Sequence, residues 1–488
     1  MTDDPQTPGR DSLDPADWSG FRAEAHAALD ACIDHLQAVA EGPATANPVW
    51  RPVPDSIQQH FAAPIPHQGT PLDQVLAECA TAVMPYATGN LHPRFFGWVH
   101  GAGTPVGVVA EMIAATLNAN CGGRDHGAIY VERQVIEWCR AIFGLPAGTS
   151  GVLTVGTSMA SVIAIAAARA RVLGAEAEEG AASRLVGYCT AQVHVALKKA
   201  FKLLGFAPHQ LRILPVSADF TLPAEALAAS IAADRAVGLV PFLAIGTAGT
   251  VNTGACDDLA ALADVAAREA VWFHVDGAFG AWARIAGKPL CDLVAGIERA
   301  DSLAFDFHKW LSVPYDAGCV LIRDGTAHRM AFAERPDYLA HGRALAGGDP
   351  WPSDFGIDLS RGFRALKVWM TLKHHGIDRL GRMIAKNCAS ARHLAAQLAQ
   401  SKVFALAAPV TLNIVCFHLK QRAIAEADDA KIADIVARLQ LDGIAAPSTT
   451  RIGDRLCIRV AILNHRTENS DLDLLLQAAT TAAHGVPA

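Results

Sequence analysis

A length of 488 residues exceeds one ordinary single-core domain, and a hydrophobic share of 51% allows a large buried interior and excludes long disordered tracts. A net charge of −7 offers no basic stripe for nucleic-acid phosphates, so a small-molecule partner is expected and a nucleic acid is not. Eleven cysteines without a CxxC pair give neither a disulfide framework nor a zinc motif; no metal is expected.

The polar, acidic start MTDDPQTPGRDSLDP lacks the pattern of a signal peptide, and no apolar run is long enough to span a membrane, which predicts a cytoplasmic location. From Trp18 to Val39 the residues Phe21, Ala25, Leu29, Cys32, Ile33 and Leu36 form one helical stripe, ended by prolines 43 to 54. Such a one-sided helix needs a surface to cover, in its own subunit or in a partner. From about Gly89 to Arg323, helical stretches alternate with β-rich runs at Leu185–Thr190, Leu211–Val216, Val237–Ile245, Val271–Val275, Ser302–Phe305 and Gly318–Ile322. That alternation predicts an α/β fold with a mostly parallel sheet, helices on both faces, and ligands at the strands' carboxyl ends. Beyond it, helices at Gly362–His375, onward to Leu398, and near Asp429–Gln440 mix with β-rich Val403–Leu406, Leu412–Leu419 and Cys457–Leu463, giving a smaller α+β domain. The expected division is residues 1–88, 89–360 and 361–488.

Four segments carry chemistry. Gly156-Thr157-Ser158 follows an apolar run and opens an Ala-rich helix, where free N–H groups and hydroxyls make an anion cradle; ordinary capping uses the same residues. His194 opens another helix and supplies a flat imidazole that can stack or donate, although a lone histidine is often structural. In VWFHVDGAFGAWA, Asp276 leaves an apolar run among small residues and needs a cation or donor; a turn cap or a metal ligand would read alike. In DSLAFDFHKWLSVPYDAG, Lys309 stands at a strand end beside Trp310, where desolvation favours the neutral amine that forms imines; a surface lysine beside a core tryptophan gives the same text.

Taken together, with HPRFFGW at residues 92–98 and IRVAILNHRT ending at Thr467, these segments resemble the group II pyridoxal-phosphate decarboxylases, the family of aromatic-L-amino-acid, histidine and glutamate decarboxylases. The resemblance covers most of the chain. It implies a type I aminotransferase-like fold with a seven-stranded-type sheet, a homodimer with interface active sites, and pyridoxal 5′-phosphate (PLP) as cofactor. It also assigns Lys309 to the Schiff base, Asp276 to the pyridine nitrogen, His194 to ring stacking, Ala278 to the ring's other face, and Thr157, Ser158 and His308 to the phosphate end. Thr250 falls in the family's threonine loop, with Val251 where many members carry a second threonine. Tyr338, in RPDYLAHG, matches the loop tyrosine that protonates the carbanion; aldehyde-forming members commonly carry phenylalanine there.

For the substrate, the resemblance places Trp98, Val99 and His100 in the side-chain pocket and Asn118 and Asn120 where aromatic-specific members have apolar groups reaching the partner's pocket. The implied activity is α-decarboxylation of an L-amino acid to an amine, with aromatic substrates ahead of acidic or diamino ones. An aldehyde-forming decarboxylase, another lyase or transaminase on the same fold, and a catalytically silent binding or scaffold dimer remain the alternatives.

Overall fold

Runs of β-branched and aromatic residues too short for helices set the strands. The computed structural model describes residues 12–41, 48–174, 180–334, 342–420 and 425–485. In chain order the strands are β1 (Phe95–Phe96), β2 (Ser150–Thr154), β3 (Leu185–Thr190), β4 (Leu211–Leu214), β5 (Val240–Thr247), β6 (Trp272–Asp276), β7 (Ser302–Asp306), β8 (Gly318–Ile322), β9 (Phe404–Leu406), β10 (Ile414–Leu419), β11 (Ala446–Ile452) and β12 (Arg455–Ala461).

Seven strands join in the order β2-β8-β7-β6-β5-β3-β4. β8 pairs antiparallel with both β2 and β7, and the other pairs are parallel, so β8 alone runs against the rest. This is the mostly parallel α/β sheet that the sequence predicts. All residues of β3, β6, β7 and β8 are buried, as expected of strands covered on both faces. One face packs Phe143, Trp282, Phe305 and Phe307 into an aromatic core; the other receives the helix Thr157–Leu173 through Ile163 and Ile165.

The remaining five strands form the smaller sheet, β1-β11-β12-β10-β9. Its core comes from Phe404, Phe417, Ile458 and Val460, closed by helices Ile377–Gln400 and Asn469–Ala483. β1 belongs to this sheet although it lies far upstream, pairing Phe95 with Ala446. Most expected strand ends shift by a few residues, and two of these shifts have clear local reasons. β4 stops at Leu214 because Pro215 has no N–H to give, and β5 starts at Val240 because Gly238, at φ 81°, turns the chain out of the preceding helix.

The predicted N-terminal helix forms over Trp18–Glu41, yet none of its residues is buried. Trp18, Phe21 and Ile33 are 61%, 40% and 48% exposed, and helices Asp55–His60 and Leu72–Glu78 likewise bury nothing. No helix among the described residues is long and apolar enough to cross a membrane.

Candidate active site

The carboxyl ends of the parallel strands converge on one cavity of about 440 Å³. Thr247 ends β5 opposite Asp276 of β6, and Asp306 ends β7 one strand further on. All three line that cavity.

Lys309 sits three residues beyond β7, in the connection to β8. That connection is pinned: the Phe307 and His308 N–H groups donate to the Ala317 carbonyl at 2.9 and 3.3 Å, and buried Trp310 donates through Nε1 to Asn387 Oδ1 at 3.0 Å. Lys309 Nζ lies 2.9 Å from Asp306 Oδ2, while Asp306 Oδ1 accepts the Thr157 N–H at 2.6 Å. One buried carboxylate thus links the lysine to the first turn of helix Thr157–Leu173. The fit requires glycine at 318, where a Cβ would stand 2.5 Å from Gly156 Cα and 2.6 Å from Asp306 Oδ1.

At the cradle, the Thr157 and Ser161 hydroxyls are buried without a hydrogen-bond partner among the described residues, and both residues line the cavity. Buried donors left unmatched are costly, and a guest rich in acceptors, such as a phosphate, could be held there. Asp276 is 4% exposed and accepts the Ala278 N–H at 3.2 Å. Burial pushes its carboxyl above the usual range, against the opposing pull of Lys309. A protonated heteroaromatic nitrogen facing it would stabilise the ionised form. His194, at the start of helix Val195–Leu203, lines the same cavity with its ring driven below the ordinary histidine value, chiefly by burial.

The mouth is aromatic. His100 stacks on Phe95 and Trp98 at centroid distances of 5.9 and 5.5 Å and meets Tyr315 edge-on at 6.0 Å; Tyr315 in turn lies 4.3 Å from His308. Trp98 adopts φ 50°, unusual for a large residue, and buried Arg459 holds its carbonyl at 2.9 Å.

Trp98, Val99, His100, Thr157, Ser158, His194, Asp276, Ala278, His308 and Lys309 therefore meet around one space. Thr250 does not join them: its hydroxyl pairs with Thr253 Oγ1 at 2.9 Å and accepts the Ala255 N–H, closing a turn whose neighbours Gly249 and Val251 reach the cavity instead. Asn118 ends helix Pro105–Leu117 at φ 42°, and Asn120 Oδ1 accepts the Gly122 and Arg361 N–H groups; neither lines this chain's cavity. Tyr338 lies outside the described residues. Sequence reasoning passed over Asp306 and Tyr315. Both stand in the same stretch of sequence as Lys309, and Asp306, three residues before the lysine at a strand end, was the readable signal.

The model of the pyridoxal-dependent decarboxylase conserved domain matches residues 54–420. An aromatic-L-amino-acid decarboxylase of Bacillus atrophaeus is 32% identical over 457 residues, covering 93% of each chain. Among solved structures, Oryza sativa TDC with PLP and tryptamine superposes with a TM-score of 0.89 at 27% identity, covering 98% of this chain and 100% of that one. Rhodiola rosea 4-hydroxyphenylacetaldehyde synthase gives 0.85 at 25% identity, with 97% and 100% covered.

Proposed function

The chain belongs to the pyridoxal-dependent decarboxylases and is a PLP-dependent carboxy-lyase; from that premise we propose that it converts an aromatic L-amino acid to carbon dioxide and the corresponding amine. The observation that carries the substrate class is the row of rings Trp98, His100 and Tyr315 on the wall of the cavity that holds Lys309, with Phe95 stacked behind His100. An apolar, aromatic wall favours a planar side chain over a carboxylate or ammonium.

The residues fit the cofactor. In this reading Lys309 is its attachment point, Asp276 holds the pyridine nitrogen, His194 and Ala278 flank the ring, and Thr157, Ser158 and His308 take the phosphate, answering the unmatched Thr157 hydroxyl. When bound, PLP supplies an electron sink for the pair left on Cα as the carboxylate departs. Asp276 would keep that sink protonated, and the aromatic wall would orient the substrate through its side chain. Asp306 holds the Lys309 side chain in place. Tyr338 is assigned the return of a proton to Cα on its sequence position alone.

Residues 1–88 act as a dimerisation arm beside the cofactor domain, 89–360, and the small domain, 361–488. The homodimer is supported by three N-terminal helices that bury nothing and by Met112 and Leu117, 49% and 60% exposed on helix Pro105–Leu117. Light scattering on the full chain should give twice the 51.4 kDa of one chain. Eleven free cysteines suit a reducing, cytoplasmic setting.

The deciding experiment incubates the PLP-loaded protein with aromatic, acidic and diamino L-amino acids and identifies products. Amine and carbon dioxide from an aromatic substrate are expected. Aldehyde with ammonia and hydrogen peroxide as main products, or turnover confined to acidic or diamino substrates, sinks this proposal.

A further inference from the structure

Three histidines face the cavity, His100, His194 and His308, and the last two each have one ring nitrogen already engaged by the backbone. His194 precedes helix Val195–Leu203 with extended φ and ψ of −64° and 142°, and its Nδ1 accepts the Ala196 N–H at 3.3 Å. His308 Nδ1 accepts the Ala317 N–H at 3.0 Å, across the hairpin that carries Lys309. A backbone N–H only donates, so Nδ1 in both rings must present a lone pair, and in a neutral imidazole the proton then sits on Nε2. We infer that the Ala196 and Ala317 N–H groups act as positioning groups that fix His194 and His308 as uncharged Nε2–H tautomers, giving the cavity two hydrogen-bond donors and no imidazolium at either position.

The surroundings act in the same direction overall. Burial lowers both rings, and Lys309 opposes charging either one. Asp276 and Asp306 pull His194 the other way, and Lys199 adds to the push against a charge there. Asp306, the Ala317 backbone and Asp316 pull His308 the other way without outweighing burial, and the Tyr315 ring packs beside it at 4.3 Å. Protonating either Nδ1 would set N–H against N–H, losing one hydrogen bond and leaving two buried donors face to face.

The chemical consequence rests on the proposed decarboxylase reading. With its basic lone pair tied to the backbone, His194 can donate through Nε2 to an anionic group but cannot accept a proton there. His308, whose Nε2 lies 3.7 Å from Asp306 Oδ2, has the same single role at the phosphate end. Neither ring is the base of the reaction. Both serve as neutral donors whose strength stays constant through the neutral pH range.

The test is a long-range proton–nitrogen correlation spectrum of the PLP-loaded protein labelled with ¹⁵N-histidine, with His194→Gln and His308→Gln used only for assignment. Both rings are expected to report protonated Nε2 and bare Nδ1 from about pH 6 to 8. An Nδ1–H tautomer, or an imidazolium at neutral pH, in either ring overturns the inference. Ala196→Pro then removes one donor in the first helical turn, where proline is tolerated. Mixed tautomers at His194 and a titration midpoint raised by about 0.5–1 unit are expected. An unchanged His194 signal in a folded variant refutes the role of Ala196; if that variant does not fold, the unsubstituted protein's spectrum decides. The spectra need no turnover, so a protein inactive on every amino acid but carrying both tautomers would fail the functional reading and leave this one standing.

Discussion

Asp276 has demanding surroundings, because a carboxylate that is 4% exposed has the Ala278 N–H and the charge of Lys309 to set against the cost of burial. Asp276→Asn keeps the shape and removes the charge. Decarboxylation is expected to fall by at least about 100-fold, since preorganised charge opposite the reacting system supplies much of an enzyme's rate enhancement, while the visible imine absorbance persists; retention of more than a tenth of the activity would disprove the role. At this scale neither Asp276 nor Lys309 was distinctive alone, and it was their spacing with His194 and the Thr157-Ser158 turn that pointed to the one cavity they line. The sequence misled at Thr250, whose hydroxyl is satisfied within a turn that no spacing rule reports. Asp306 was signalled by its place three residues before Lys309, but its second bond, to the Thr157 N–H, is made only by folding.

Among elements, the junction of helix Gly127–Ile142 with β2 depends on one buried ion pair. Arg361 donates to both Glu132 oxygens at 3.0 and 2.6 Å and also to the Cys121 and Leu153 carbonyls, and Glu132 Oε1 accepts the Leu153 N–H. Arg361→Met strands a buried carboxylate and is expected to destabilise the chain by about 3–5 kcal/mol, read as a lower urea midpoint with the slope unchanged. A loss below about 1 kcal/mol would place the pair among weak surface bridges. Strands whose residues are all apolar, such as β8, were legible from the sequence. β11 was not, because APSTTRI is polar and contains a proline. It is a strand because β12 pairs with it from Ser448 to Ile452 and β1 covers its other edge. The N-terminal helix was legible as a helix, whereas the surface it covers was not, since periodicity marks an apolar stripe without saying what lies opposite.

Across the whole molecule, acid sensitivity follows from histidines buried in the neutral form. His274 and His328 are fully buried, and burial pushes both from the ordinary 6.5 to about 4. As pH falls below 6.5 the unfolded chain takes up these protons and the folded chain does not, so stability present above that value is lost down to about 4. By pH 5 the loss is about 2 kcal/mol per histidine. Urea midpoints are expected to drop between pH 7 and 5, and a paired His274→Gln, His328→Gln variant should flatten that drop; an equal drop in the variant would assign acid sensitivity elsewhere. The placement of Lys309 has a consequence in time as well as in space. Its loop joins β7 to β8, and both strands lie inside the sheet, with β6 on one side and β2 on the other. Freeing the loop means parting paired interior strands, an event close to global unfolding. Amide hydrogens of β7 and β8 are therefore expected to be among the slowest in the chain when hydrogen–deuterium exchange is followed. Breathing motions that loosen the N-terminal helices leave the lysine's anchorage untouched.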